Sequence, residues 1–420
     1  MPPTLSIADA VAAASEGLDS RATAVALAAI ALSFLGGPTL VHLLRWMAAW
    51  FRLGVFLIGG GTTVGTVSDL YVHPVKSMRA TRLEESALDR KGLENDRRFM
   101  VVYERPLPAH KTEWGKTDTT HRFLTQRQCP SLATISTAID TVRTDDGKAE
   151  RVLVLEQATV APSSSAPKVS VRVPLARLDG KPETTYLAGI WDDVVAVEDL
   201  GERAAAFLQA IADADEELAA SFEGGGRRPV VRLVRESLSP LSSLGLLKGG
   251  PETRAYVPAY AKAWHGGALG KPTLTDGFPV LIASEASLDV VNQRLVHKGG
   301  HKPISMSQFR PNIVIKRGSI EPFEEDRWKV VAIGNVVFAI VKACPRCKQS
   351  CTDQTTGTVS KAMEPLETMK AFRRAFGSAP KNGSVFFGQN AIPIGRLEGK
   401  TIKVGDPVRV LERGDPVYID

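Results

Sequence analysis

Disulfide chemistry, nucleotide-loop chemistry and nucleic-acid recognition all lack their usual signatures in this sequence. Four cysteines in 420 residues are too few to staple a small secreted scaffold. No G-x-G-x-x-G follows a strand-like run, so the chain carries no dinucleotide fingerprint of its own. Aromatic residues reach only 6%, and no basic stripe interleaved with aromatics occurs, which argues against a nucleic-acid surface. Internal repeats and heptads are also missing. With 44% apolar and 23% charged residues the composition is that of an ordinary globular protein, neither disordered, collagen-like nor polytopic. The net charge of +6 is mildly basic and suits an anionic ligand without naming one.

Long apolar runs are scarce as well, with one exception near the N-terminus. Ala22–Leu44 spans 23 residues without an acidic or basic side chain, and about 20 suffice to cross a bilayer as a helix. A cleaved secretory signal would want a positive leading segment, but Asp9, Glu16 and Asp19 precede the first basic residue, Arg21. A buried helix of a soluble domain is the other alternative, and the Gly-rich stretch Gly59–Gly65 would detach it from the rest. The expectation adopted is a single transmembrane anchor. Arg45 and Arg52 follow the run, so the positive-inside rule leaves the bulk of the chain facing the cytosol.

Beyond the linker the pattern turns β-rich. TVSDLYVHPV, RRFMVVYE, ATISTAI, RVLVLEQATV, VSVRVPLARL and VVAVEDL are short β-branched runs bounded by turn residues, at a spacing that suggests barrels rather than a βαβ sheet. A helix is expected over Gly201–Phe222, with Ala204, Phe207, Leu208 and Ile211 on one face. A second helix, LDVVNQRL, is expected after Ser284 or Ser287. Strands return at NIVIK, KVVAIGNVVFAIVKA and TIKVGDPVRVLE. The fold class expected is α+β and β-rich, divided as an anchor and linker over residues 1–66, a first barrel over 67–222 and a second barrel domain over 223–420.

Three of the four cysteines, Cys344, Cys347 and Cys351, fall within VKACPRCKQSC, directly after the strongest strand pattern. A closed zinc site needs four ligands, and the remaining Cys129 lies more than 200 residues away. An iron–sulfur cluster meets the same shortage, and a thioredoxin-like motif would open a helix in a βαβ unit that is not here. What remains is a single thiolate on a metal carried by a cofactor, or three small buried thiols. Lys342, Arg346 and Lys348 flank Cys347 and would favour a thiolate.

Other charged residues stand at strand corners: Lys76 and Ser77 in HPVKS, Arg97 and Arg98 in NDRRFMVV, and Arg310 in FRPNIVIK. Each alone reads as a solvated strand end. Together they would supply what a phosphate-bearing anion needs, with arginine forks converging from several loops.

In order along the chain, YVHPVKSM, DRRFMVV, FLTQRQCPSL, DGFPVLIASEASLDVVNQRL, FRPNIVI, ACPRC, TDQTTG, FGQN and TIKVGDPV resemble the MOSC (molybdenum cofactor sulfurase C-terminal) family. The resemblance is greatest to its eukaryotic amidoxime-reducing members and runs from about Val67 to Leu411. It implies a β-barrel N-terminal domain joined to a MOSC barrel domain, with a molybdenum–pterin cofactor (Mo-molybdopterin) between them. It further implies that Cys347 is the metal ligand and that Lys76, Ser77, Arg97, Arg310, Asn312, Arg346 and Asn390 contact the cofactor. Asp276, Gly277 and Phe278 match a loop of backbone contacts, and Asp353 matches an aspartate near the metal, a candidate proton source. Cys351 and the stretches Gln157–Pro174 and Pro240–Pro272 depart from the family pattern.

The activity implied is reduction of N-hydroxylated compounds such as amidoximes and hydroxylamines. Electrons would come from NADH through a flavin reductase and a b-type cytochrome. The resemblance also implies the mitochondrial outer membrane, although an Arg-rich amphipathic presequence is missing. A carrier of molybdenum cofactor or sulfur would share every one of these residues.

Overall fold

The computed structural model describes residues 60–418, apart from residues 90, 105–120, 145–146, 158–168, 176–183, 191–192, 222–228, 238–273, 319 and 375–382. The first strands in chain order are β1 (Thr62–Val72), β2 (Thr81–Leu83), β3 (Glu85–Asp89), β4 (Gly92–Leu93), β5 (Phe99–Glu104) and β6 (His121–Phe123). Next come β7 (Ile135–Arg143), β8 (Ala149–Gln157), β9 (Val169–Pro174), β10 (Thr185–Ile190), β11 (Asp193–Asp199) and β12 (Val231–Glu236). The last group is β13 (Val280–Ser284), β14 (Ile313–Ile315), β15 (Trp328–Ile333), β16 (Val336–Arg346), β17 (Val385–Ile394), β18 (Thr401–Lys403) and β19 (Pro407–Arg413). Helices α1 (Glu202–Ala214) and α2 (Glu216–Ser221) lie between β11 and β12, and α3 (Glu285–Lys298) follows β13. Among the described residues the fold is therefore β-rich with few helices, as the residue patterns led us to expect.

The largest sheet runs in the order β14-β13-β17-β16-β15-β19-β1-β2. Because β14 also pairs with β1, seven of these strands (all but β2) close into a ring. Leu70, Ile282, Ile315, Trp328, Val331 and Phe338 are buried together in one core cluster of this sheet. Strands β10, β11, β12, β5 and β6 close a second, smaller barrel. Strand β5 shows why a run as apolar as FMVVY forms here. Met100 and Val102 pack with Phe123, Val197 and Val234, while Phe99 and Val101 point the opposite way and pack with Leu233, Phe207 and Leu208. Both faces of the strand are thus buried, which a two-residue period permits. Helix α1 supplies the outer cover through Ala204, Phe207, Leu208 and Ile211, the face expected from the sequence; each large side chain stabilises by about 1.5–3 kcal/mol when fully buried.

The structure refines several expectations. The helix expected over Gly201–Phe222 breaks at Asp215, whose carboxylate caps α2 by accepting from Leu218 N at 2.8 Å and also accepts from Ser131 N at 2.9 Å. KVVAIGNVVFAIVKA is a hairpin, with Gly334 at φ +54 in its turn and Ile333 paired to Val336. TIKVGDPVRVLE divides between β18, which pairs with β3, and β19, which pairs with β15 and β1. Strand pairing also crosses the expected boundaries in both directions: β1 belongs to the large ring, and β12, beyond residue 222, closes the small barrel. Of the two departures from the family pattern, part of Gln157–Pro174 is strand β9, and Pro240–Pro272 lies outside the described residues. No helix among the described residues is long and apolar enough to cross a membrane. The expected anchor at Ala22–Leu44 falls outside the described residues.

Gly388 in β17 marks where β17 and β13 approach most closely. Its φ is +74, and a Cβ there would lie 2.8 Å from the Ile282 carbonyl oxygen, a backbone atom that cannot move aside cheaply. Gly388→Ala is expected to cost roughly 2 kcal/mol or more, from left-handed strain plus the clash, read as a lowered urea midpoint at unchanged slope.

Candidate functional site

Strand β1 leaves the ring at Val72, and the next five residues, His73–Ser77, run beside the start of β5. Lys76 N donates to Phe99 O at 2.7 Å, Phe99 N to Pro74 O at 3.1 Å and Arg97 N to His73 O at 2.8 Å. This short crossing carries the HPVKS residues from the ring to the small barrel. Six described non-glycine residues have positive φ, and three of them were singled out from sequence: Ser77 (φ 66), Arg97 (φ 48) and Arg310 (φ 56). Such backbone strain collects where a surrounding structure fixes a functional side chain.

Lys76 is buried, and its ammonium donates to Leu274 O at 3.0 Å and to Asp276 Oδ1 at 2.5 Å. Burial pulls its pKa down, opposed by the Asp276 carboxylate. Arg97 donates from Nη1 to Asp96 and, at 3.3 Å, to Asn312 Oδ1, and from Nη2 to Arg310 O at 3.3 Å. Arg310 is only 6% exposed; its Nη1 donates to Met78 O at 2.6 Å and to Gln354 Oε1 at 3.2 Å. Burial first, and then the neighbouring Arg97 cation, push Arg310 down to about 9, which still leaves it charged at neutral pH. Its Nη2 is buried and has no hydrogen-bond partner among the described residues. Thr275 and Thr352 each have a hydroxyl in the same condition.

Four residues essential to this arrangement were missed in the sequence. Gln126 and Gln354 are buried and donate to each other reciprocally, at 3.0 and 2.9 Å. Gln126 also donates to Ser77 O at 2.8 Å, and Gln354 holds Arg310, so one amide pair ties together the loops of Ser77, Arg310 and the cysteine segment. Asp96 is fully buried, accepts from His73 N at 2.7 Å and balances Arg97; that guanidinium and the His73 contacts outweigh burial and hold its carboxyl well below the usual range. His73 is fully buried too, and neither ring nitrogen has a hydrogen-bond partner among the described residues. Burial foremost, then the Arg310 and Arg97 charges, drive its pKa down to about 3, so the ring is neutral.

Cys347 is exposed and directly follows β16, whose ladder with β17 shifts register twice, between Ile340 and Lys342 and between Ala343 and Pro345. Bulges of this kind re-aim a strand end. Arg346 is held inward, donating from Nη2 to Phe309 O at 2.8 Å and from Nε to Ser350 Oγ at 3.2 Å. Arg127 Nη1 donates to Cys347 Sγ at 3.8 Å. Cys351 is buried, and burial above all pushes its thiol up to about 11, so it stays protonated. Of the two thiols, Cys347 is the one positioned to bind a ligand.

Not every expected residue converges. Asp353 is exposed, and its Oδ1 accepts from Thr355 N at 2.7 Å and Thr356 N at 2.8 Å, shaping its own turn. A carboxylate oxygen engaged by two backbone donors shapes its loop. Asn312 joins the ring, exchanging hydrogen bonds with Leu281 and Tyr71, and reaches the cations through Arg97. Asn390 lies on β17 opposite Leu281 and Lys342. Phe278 is buried beside Gly277, where a Cβ would meet nothing within 4 Å, leaving the Asp276–Gly277 backbone open to approach.

Arg310 interacts electrostatically with Arg97, Asp96, Asp276 and Arg346, and Lys76 with Asp276, Arg97 and Arg127. Among these described residues the cations Lys76, Arg97, Arg127, Arg310 and Arg346 outnumber the carboxylates Asp96 and Asp276, beside an unpartnered guanidinium nitrogen and two unpartnered hydroxyls. No cluster of three or more His, Cys, Asp or Glu among the described residues could hold a metal ion by itself. Fold and site together are those of a two-barrel protein with a buried basic cluster and one exposed thiol. Family comparison agrees. Residues 64–211 match the MOSC N-terminal beta barrel domain and residues 269–409 match the MOSC domain, and the chain belongs to this MOSC-domain family. It is 29% identical over 360 residues to mitochondrial amidoxime-reducing component 1 of Mus musculus, covering 83% of each chain. Over 140 residues it is 42% identical to the Homo sapiens component 1, covering 33% of this chain and 38% of that one. A match to the molybdenum cofactor sulfurase of Arabidopsis thaliana is 38% identical over 102 residues, covering 23% of this chain and 12% of that one.

The amide pair predicts strong coupling. Gln126→Leu or Gln354→Leu alone strands a buried amide and is expected to cost about 2–3 kcal/mol, while the double variant costs clearly less than the sum; urea denaturation of the full cycle measures it. His73 predicts an acid response. Its folded pKa is depressed, so between the unfolded value near 6.5 and about 3 only the unfolded chain takes up the proton, and stability falls as pH falls through that window. From pH 7 to 5 the wild type should lose about 1–2 kcal/mol more stability than His73→Leu, read from urea midpoints at both pH values.

Proposed function

We propose that this chain is a molybdenum-cofactor-dependent oxidoreductase that reduces N-hydroxylated compounds, amidoximes and hydroxylamines among them. The observation that carries the reading is the buried Arg310 Nη2, a charged donor with no partner among the described residues, in a cluster with an excess of positive charge and close to a lone exposed thiol. A buried charge left unpaired is costly, and an anionic ligand would relieve it. A pterin phosphate fits that need through Lys76, Arg97 and Arg310. Cys347 fits the one protein ligand that a metal already held by an organic cofactor would take. When bound, the molybdenum–pterin group supplies the two-electron chemistry that removes oxygen from nitrogen.

The chain's own residues bind and orient. The Gln126–Gln354 pair keeps the Ser77 and Arg310 loops fixed against the cysteine segment, and the inward-held Arg346 anchors the residue before Cys347. Buried Cys351 stays protonated and leaves Cys347 as the ligand. The family resemblance implies that electrons arrive from a b-type cytochrome and its NADH-dependent flavin reductase, and a sequence without a dinucleotide fingerprint is compatible with that. The names of the amidoxime-reducing relatives, which are mitochondrial components, and the apolar run Ala22–Leu44 support a mitochondrial membrane location with the site facing the cytosol.

Expressed in full length in a host that makes the cofactor, the protein should contain near-stoichiometric molybdenum and reduce benzamidoxime when supplied with the cytochrome and reductase. Cys347→Ser should abolish turnover, at least 100-fold, whereas Cys351→Ser should retain most of it. Absent molybdenum contradicts the cofactor assignment; bound molybdenum without turnover makes the chain a carrier; equal losses from both variants contradict the single-ligand assignment.

A further inference from the structure

Among the cations Lys76, Arg97, Arg310 and Arg127, Arg127 is the one whose hydrogen bond reaches the exposed thiol: its Nη1 donates to Cys347 Sγ at 3.8 Å. Its guanidinium sits 5.9 Å from the centre of the Phe123 ring, and Lys76 Nζ lies 5.4 Å from the same ring centre, so the two cations share one aromatic neighbour and act on each other electrostatically. The loop that carries Arg127 is fixed from below. Arg127 N donates to Thr125 Oγ1 at 3.2 Å, the Thr125 backbone and hydroxyl both reach Gln128 Oε1, and the intervening Gln126 is locked into the buried amide pair. A long side chain on a rigid loop can hold its charge at one place. Of the sequence neighbours of Cys347, Arg346 donates inward to Phe309 O and Lys348 is paired with Glu217 at 3.2 Å.

We propose that Arg127 makes the open face of Cys347 a receptor for a negatively charged group. The substrates preferred there carry a carboxylate or similar anion close to the N-hydroxylated atoms, and cationic analogues are disfavoured. The proposal rests on the reading of Cys347 as the reactive centre, but it concerns the electrostatic field at that sulfur and can be measured without cofactor or turnover.

The test uses the full-length protein freed of metal and compares alkylation of Cys347 by iodoacetate, an anion, with alkylation by neutral iodoacetamide at one pH. Mass spectrometry of the Cys347 peptide keeps the other thiols out of the measurement. The thiolate fraction enters both rates and cancels from their ratio, so the ratio reports only the local charge. Arg127→Leu should lower the iodoacetate-to-iodoacetamide ratio by about five- to tenfold, Arg127→Lys should keep it within about twofold, and Lys348→Leu should leave it within about twofold. An unchanged ratio in Arg127→Leu overturns the proposal, as does a fall in Arg127→Lys equal to that in Arg127→Leu, or a fall produced by Lys348→Leu instead. A chain that binds no molybdenum would still give this ratio, so failure of the proposed function and failure of the Arg127 assignment are read separately.

Discussion

A guanidinium that is 6% exposed cannot be solvated, so carbonyls, amides and distant carboxylates must compensate its charge. Arg310 meets this requirement by reaching two separate parts of the chain, Met78 O just after the HPVKS crossing and Gln354 in the cysteine segment. Gln354 can serve only because Gln126 fixes its orientation, and Gln126 in turn fixes Ser77. One buried charge and its amide partners therefore tie together four loops from distant parts of the chain. The arrangement leaves one nitrogen of the guanidinium without a partner, and this remainder of the compensation connects architecture to ligand. A site that is fully satisfied alone would have nothing to gain from an anion.

The surrounding electrostatics follow the same logic. Asp96 offsets Arg97 without water, and the neutral His73 fills the space behind both without adding charge. Asp276, 61% exposed, pairs with the buried Lys76 from the solvent side, so that lysine can exchange its partner for a ligand oxygen at modest cost, because a half-solvated ion pair contributes little. The positive φ of Ser77, Arg97 and Arg310 indicates that the surrounding fold, rather than local preference, dictates these side-chain directions.

Much of the fold was legible because burial writes a period into the sequence. The apolar run FMVVY and the stripe of Ala204, Phe207, Leu208 and Ile211 follow from local geometry, whereas the turn that divides β15 from β16 lies inside what the pattern presents as one strand run. Ser284 was a legible cap, accepting from Ala286 N at 3.1 Å. What was not legible depends on partners far away in sequence. Gln126 and Gln354 are 228 residues apart, and neither looks unusual until the other is beside it. Asp353 is the converse case, since its Oδ1 bonds within its own turn and needs no long-range contact to be placed. The membership of β1 in the ring was hidden as well, because alternation shows that a strand exists but not which edge it joins.

That membership has a consequence for the order in which the chain can assemble. Val67 pairs with Ile315, a separation of 248 residues (315 − 67), and Thr62 pairs with Val410, a separation of 348 (410 − 62). The small barrel is complete once β12 has been made, whereas both ring neighbours of β1 are synthesised much later. During translation β1 can pair early only with the short β2, over Leu70–Val72, and the rest of it waits for β14 and β19. The ring closes only when β19 has emerged.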